Sequence, residues 1–473
     1  MKLHLLALSV SLCCGGSILA QEGGWTLEKC IQHALDNNLQ IQQSELNAES
    51  AKSSATQSKF DLLPTINAGA THGYNWGQTI DPFTNQFATN RVRSNSLSVS
   101  SSVTLFSGFS KLNTVKQRQF DFLAAQYDAE AMQNDISMQI ATNFLQVLFN
   151  KELLKVANNQ YELTTLQVAR IKKMVEVGQM PKSNLLDLEA QLANEELNKV
   201  NAENQLNISL LSLKQLLQIN DNNFEVTTPD LSPNNLDQMA VNPEEVYKKA
   251  LELRPEIKSS EYQLKSAERA KAIAIGGQSP RLSVSGSYGS GYSGNNKVPV
   301  GNPTIEQEVI GVTEISGEQV IAPNFIFDEF EPRSFKDQLD ANINQSLTFQ
   351  LSIPIFNGWS TRNNITRAKI SYETANLRLE QSKQQLEQDI QRAHNDALAA
   401  LKQYQASKKA VSALEESFKY ASARYESQLI NTIDYTDAKN KLTQAQSDLL
   451  RAKFDYIFKS KILDFYQGKP LAL

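Results

Sequence analysis

"LFSGFS", Leu105 to Ser110, is written again as "IFNGWS", Ile355 to Ser360, 250 positions further along a chain of 473 residues. Each time a strand-like run meets a Phe-x-Gly pivot and passes into a long segment without glycine. Upstream of the second pivot, "LTFQLSIPI" (Leu347 to Ile355) alternates strictly. Leu347, Phe349, Leu351, Ile353 and Ile355 fall on one face, and Thr348, Gln350, Ser352 and Pro354 on the other. Upstream of the first, "LSVSSSVTL" (Leu97 to Leu105) alternates likewise, interrupted only by Ser101. Period-two alternation predicts half-buried strands. "PTINAGATHGY" from Pro64 and "PRLSVSGSYGSGY" from Pro280 add two weaker ones. Each is about the 9–11 residues that a tilted strand needs to cross a bilayer.

The repetition extends beyond the pivots. At an offset of 216, Thr26 to Gly73 overlies the second half with ten identities, among them Pro64 on Pro280. Ordinary composition would give roughly three. At an offset of 250, Ser96 to Gln218 overlies Ser346 to Gly468 without gaps. The chain thus reads as two copies, about 26–218 and 242–468, the second carrying 34 extra residues between Gly289 and Ser346. A duplicated unit whose one variable part is a loop fits this pattern.

Between Trp359 and Gln467 there is neither Gly nor Pro, and from Phe109 to Val177 the same holds. With abundant Ala, Leu, Gln, Lys and Glu this predicts helix. Ile365, Tyr372, Leu379, Leu386, Ala393 and Ala400 stand seven apart. A second stripe, Ile390, Ala397, Tyr404, Val411, Phe418 and Tyr425, takes over four residues out of phase. That is a heptad seam with a stutter. A helix from Thr361 to Tyr425 would be about 97 Å long, so such helices must pack lengthwise on one another. An ordinary coiled-coil rod satisfies the helices alone.

Composition narrows the classes. A net charge of −5 without a basic patch argues against nucleic-acid binding. A mean hydropathy of −0.39, with no apolar run of about 20 residues past the start, argues against a helical membrane bundle. The opening "MKLHLLALSVSLCCGGSILAQ" reads as a signal peptide, residues 1–20, cleaved near Ala20. A lipoprotein signal at Cys13 or Cys14 competes, but Leu12 and Cys13 are poor residues to precede a lipidated cysteine. Cleavage leaves Cys30 alone, so no internal disulfide or cysteine metal cluster is expected. Among His4, His33, His72 and His394 there is no metal-spaced pair, and no nucleophile elbow, P-loop or dinucleotide fingerprint occurs. No cofactor and no enzymatic activity are expected.

Strands with an apolar face and a Ser/Thr/Gln face suit a barrel with lipid outside and water within, or equally a soluble sandwich. Four strands cannot close a barrel, since small ones need about eight, so a barrel would be shared between subunits. Phe106 to Gly108 and Phe356 to Gly358 would then be junctions where a membrane strand turns sharply into a helix.

Helix, Pro, strand, loop, strand, F-x-G, long helix, turn and returning helix, written twice after a signal peptide, resembles the TolC-like outer-membrane efflux channels over about Trp25 to Gly468. The resemblance implies a membrane α+β fold: a homotrimer whose twelve-stranded barrel takes four strands per subunit and continues into a long periplasmic α-helical coiled-coil barrel. It implies the passive exit duct of a tripartite efflux or type I secretion system, gated at its helical tips. A periplasmic adaptor and an inner-membrane pump would be its partners. On the family's pattern Gly178, with Gln179 and Met180, marks one adaptor-contact tip. Gln428 replaces glycine at the other, beside Leu429 and Ile430. Paired acids that narrow the family's tunnel fall on Asp434 and Asp437, matched by Asn184 and Asp187 in the first copy. Residues three apart share a helix face, so three subunits would ring six carboxylates around one axis, favouring cations. Simple capping of the returning helix also explains the two acids.

The insert, about 290–345, carries nine acids against three bases, a net charge of −6. On the barrel reading it is an acidic outer loop that folds over the mouth or contacts a neighbour, or simply a solvated loop. A secreted or periplasmic coiled-coil scaffold without a pore is the alternative from another class.

Overall fold

The structure, a computed structural model, describes residues 24–88, 91–221, 224–229, 242–427 and 429–471. The expected signal segment 1–20 and Gln428 lie outside the described residues. In chain order the elements are α1 (Leu27–Asn37), α2 (Leu39–Phe60), β1 (Thr65–Asn75), β2 (Thr79–Ile80), β3 (Phe87–Ala88), β4 (Val92–Ser107), α3 (Ser110–Glu176) and α4 (Lys182–Leu217). Then follow α5 (Pro243–Leu253), α6 (Pro255–Gly276), β5 (Arg281–Ser293), β6 (Lys297–Val300), β7 (Thr304–Val312), β8 (Gln319–Ile326), β9 (Glu329–Pro332), α7 (Phe335–Ala341), β10 (Asn344–Ser352), α8 (Ser360–Glu426) and α9 (Thr432–Tyr466). The bounds keep both sequence offsets. α5 and α6 are α1 and α2 displaced by 216, and α8 is α3 displaced by 250, with the same 11, 22 and 67 residues.

Local chemistry explains where the helices break. Thr26 caps α1 by accepting from the Lys29 amide at 3.2 Å. Asn38 leaves helical geometry, and its side chain accepts from the Gln40 and Ile41 amides to start α2. The second copy makes the same break with Pro255. A proline at a first helical position loses no bond and pushes the preceding Arg254 into extended backbone. In α8, Leu379, Leu386, Ile390, Ala397, Ala400 and Val411 are buried, the positions of the two staggered heptad stripes.

The chain divides into two compact units. The first takes residues up to Asn47, Ala125–Ser259 and Glu380 onward, and is helical. Its core joins Leu27, Ile41, Ile136, Phe144, Leu148, Leu213 and Ile457, from α1, α2, α3, α4 and α9. A short bridge between Trp25 and Val226 closes one side. Cys30 is fully buried there, and desolvation pushes its thiol up to about 12, so it stays protonated and unreactive at neutral pH.

The second unit, Ala48–Ala124 with Ser260–Leu379, holds all ten strands of the described residues. Four form one antiparallel sheet in the order β1-β4-β5-β10, so each copy's hairpin joins the other through β4 and β5. Two expectations change here. β10 ends at Ser352, short of Ile353 and Ile355, because Pro354 has no N–H to give the ladder. The insert is also no plain loop. Residues 290–293 finish β5 and 344–345 begin β10, and between them β6/β9 and β7/β8 pair as two segments of one long hairpin, followed by α7.

Candidate functional site

The four-stranded sheet sorts its side chains by chemistry. Cross-strand partners share a face. The register therefore aligns Ala68, Val99 and Tyr288 across three strands, and Val103, Val284 and Phe349 across three. Ile66, Leu97, Leu347 and Leu351 belong to the same apolar face. The other face carries Thr65 opposite Ser102, Ser100 between Asn67 and Ser287, Ser285 between Ser102 and Thr348, and Gln350 opposite Ser283. Hydroxyls bond across it, Ser287 to Ser346 at 2.7 Å and Thr65 to Ser102 at 3.2 Å. Both faces are open: on the apolar face Phe349 is 65% exposed and Ile66 74%, and on the other Thr65, Ser287 and Thr348 are exposed. No helix among the described residues is long and apolar enough to cross a membrane.

At each strand-to-helix junction the glycine and the aromatic after it both take left-handed backbone. φ is +60° at Gly108 and Phe109, and +60° and +69° at Gly358 and Trp359. Glycine accepts this freely, whereas the aromatics do so at a cost of about 1–2 kcal/mol each. Gly108 is also crowded, since a Cβ there would lie 2.5 Å from the Gly276 carbonyl oxygen. Phe106 meets Phe109 edge-on at 5.5 Å, and Arg362 lies over Trp359 at 4.4 Å. The spacing of Phe106, Gly108, Phe356 and Gly358 signalled these turns; the left-handed aromatic had no signal of its own.

In the helical unit the two reversals close alike. The Gln179 amide donates to the Met174 carbonyl and the Leu429 amide to the Arg424 carbonyl, both at 2.8 Å, the longer bond of a Schellman-type turn. Gly178 supplies φ +77° to the first. Gln179 is exposed, Met180 and Ile430 are half-buried, and Leu429 is exposed. Asn431 rather than an acid caps α9, its side chain accepting from the Asp434 amide at 2.8 Å. Asp434 and Asp437 both stand on the exposed side, and Asp437 pairs with Lys441 at 2.6 Å. Their first-copy matches diverge, Asn184 being half-buried against the Met180 sulfur and Asp187 exposed.

Behind these acids lies a cluster that sequence reading missed. Tyr435 is buried, stacks on Tyr425 at 4.6 Å, packs near Phe418 at 5.5 Å and accepts a hydrogen bond from Gln167 of α3. One turn on, Lys439 is buried against Glu195 of α4 at 3.9 Å and bonds Thr164 of α3. Gln191 donates to Glu195 at 2.7 Å. Burial holds the Lys439 ammonium below its ordinary range, and the Glu195 charge opposes that. The signal available was the spacing of Tyr435 and Lys439 on one face of α9, but a lysine at a helix surface ordinarily reads as solvated. Val177 and Ile433, both exposed at the reversals, were also missed. Among the described residues no group of acids, histidines and cysteines could hold a metal.

The comparisons fit this geometry. The Outer membrane protein TolC of Vibrio cholerae is 21% identical over 458 residues, 96% of this chain and 93% of that protein. The protein of the same name from Escherichia coli is 23% identical over 459 residues, 96% and 83%. The Campylobacter jejuni CmeC outer membrane channel superposes with a TM-score of 0.70 at 17% identity, covering 93% of this chain and 85% of that one. The pattern of the outer membrane efflux protein family matches residues 30–217 and again 246–465. With both halves matched, the chain belongs to the outer membrane efflux protein family: a channel of the outer membrane with its helical part in the periplasm, and not an enzyme.

Proposed function

We propose that this chain is the passive exit duct of a tripartite efflux or type I secretion system, a homotrimer whose twelve-stranded barrel draws four strands from each copy. The carrying observation is the sheet that is apolar on one face and hydroxylated on the other, with β1 and β10 as its unpaired edges among the described residues. In lipid both edges must be hydrogen-bonded, and four strands cannot close on themselves. A next copy on either side satisfies both demands, turning the apolar face to lipid and the hydroxyls to water. A coiled-coil scaffold leaves that apolar face without cover.

Two equivalent copies within each chain supply a register. Between copies of one chain, Ser100 pairs with Ser287 and Ser98 with Gly289. Carried through the offsets of 250 and 216, the same pairing between chains sets Gln350 of β10 opposite Thr71 of the next β1, and Thr348 opposite Gly73. Cysteines at Gln350 and Thr71 should therefore link into dimers and trimers on a non-reducing gel, and the buried Cys30 does not compete. A chain that stays monomeric in detergent, without this ladder, would end the shared-barrel reading.

At the periplasmic end, Asp434 and Asp437 with Asn184 and Asp187 form the constriction, and Lys441 tempers its charge. The reversal residues Gly178, Gln179, Met180, Leu429 and Ile430, with exposed Val177 and Ile433, offer the adaptor apolar contacts. Gln428 shares this tip by its place in sequence. Opening consists of parting the α8/α9 hairpin from α3 and α4, at the contacts of Tyr435 and Lys439. The energy comes from the partner pump.

A further inference from the structure

The insert builds an arm whose one face has no cover. In β7/β8, Ile305 pairs with Phe325 and Val309 with Ile321, so all four share a face; Glu306 and Glu308 project from the other. The four apolar residues are 49–63% exposed. A lone two-stranded ribbon is marginal in water, and exposed apolar faces of this kind mark contact sites.

The base of the arm, by contrast, is fixed. Ser293 is fully buried; its hydroxyl bonds Asp81, and its amide donates to Gln338 at 2.9 Å. Gln338 returns bonds to the carbonyls of Ser293 at 3.0 Å and Arg333 at 2.9 Å. Asp81 belongs to the β1–β4 connection, whose Phe83 ring occupies the space a side chain at Gly291 would need. Within one chain, then, the first copy's outer connection lies against the end of the second copy's first strand. Tyr292 there is only 4% exposed, held by Arg93 and Phe335.

The equivalent of Tyr292, at the offset of 216, is Trp76, the residue after β1, and it is 73% exposed. Tyr292 is covered by Arg93, from a strand of the other copy, and by Phe335 of its own copy's insert, while the other copy's outer connection lies on its flanking residues Gly291 and Ser293. By the same relation between chains, the insert of one chain should lie against the end of the next chain's β1, where Trp76 goes uncovered within one chain. We infer that the arm 297–332 of each subunit lies on the next subunit and seats its Ile305, Val309, Ile321 and Phe325 face over that neighbour's Trp76. The contact is head-to-tail, so it closes into a ring with the barrel. The acidic face, with Glu306 and Glu308, stays in solvent and disfavours arm-to-arm stacking. This rests on the shared barrel, because the arm rises from the connection leading into β10, the edge that meets the neighbour's β1.

The test places a photo-crosslinking amino acid at Phe325 of the full chain in isolated outer membranes, beside the Gln350/Thr71 cysteine pair as a report on the barrel seam. Irradiation should give dimers and trimers whose linked peptide contains Trp76, and Trp76→Ala should lower the temperature at which the detergent-solubilised trimer dissociates. A seam ladder with the photo-link confined to its own chain, to lipopolysaccharide or to another protein, or absent, overturns the arm contact alone. So does an unchanged dissociation temperature. Loss of both ladders overturns the arm contact and the shared barrel together.

Discussion

On α9, Asp434 stands in solvent while Lys439, five residues on, is buried. The difference sets what each substitution should do. Glu195→Gln leaves the Lys439 ammonium buried without its counter-charge, a loss of about 3–5 kcal/mol, whereas Lys439→Met with Glu195→Leu should come close to neutral. The denaturation midpoint of the helical signal checks both. Burial lowers the folded pKa of Lys439 beneath its unfolded value. The penalty of burying the charge is therefore fully present below the folded pKa. It fades as pH rises toward the unfolded value, where the unfolded chain binds the extra proton. Wild type should gain stability over that window relative to Lys439→Met. For Asp434 and Asp437 the exposed placement predicts little change in stability on replacement by Ala. Block of the purified pore by multivalent cations should weaken. Unaltered block would return both acids to a helix-end role.

At the scale of the element, the two junctions show one backbone solution met in different surroundings. Gly108 and Gly358 share φ +60°, but only Gly108 faces a second glycine, Gly276, at the end of α6. Gly108→Ala should cost about 1–2 kcal/mol for the left-handed backbone and more for the displaced Gly276 carbonyl. Gly317→Ala, at φ +66° with nothing within 4 Å, should cost the backbone contribution alone. Midpoints for the two variants decide it; equal losses would mean that the Gly276 contact is soft. The helices were legible because a glycine-free run with staggered heptads leaves few alternatives: α8 covers Ser360–Glu426 where Thr361 to Tyr425 was expected. β10 was less so, because alternation continues through Ile353 and Ile355 while the backbone ladder ends at Ser352, ahead of Pro354. The arm was hidden because its β7 strand, "TIEQEVIGV", mixes acids into an apolar alternation that reads as loop until a partner strand is in place.

For the whole molecule, the decisive property is incompleteness. Among the described residues the sheet has two free edges, an apolar face without cover and an exposed Trp76 whose counterpart Tyr292 is buried. On the shared-barrel proposal, all three deficits would be met by further copies of the same chain, related as the two halves are related within it. On that proposal the duplicated sequence would carry the rule of assembly as well as the fold, and a single register should hold at every seam. A barrel seam linked through Gln350 and Thr71 would confirm that rule where it is most exposed to failure.

The amino-acid sequence alone determined the long helices, the repeated offsets, the junction glycines and the membership of a channel family. These follow from local periodicity and from which residues tolerate left-handed backbone. Only the tertiary structure decided that Lys439 is buried against Glu195, that Asn431 caps α9 and that Asp437 shares its charge with Lys441. It alone decided that the insert is a paired arm on a buried base. Those depend on which distant segments exclude water from one another, and a side chain's spacing along its own helix or strand does not encode that.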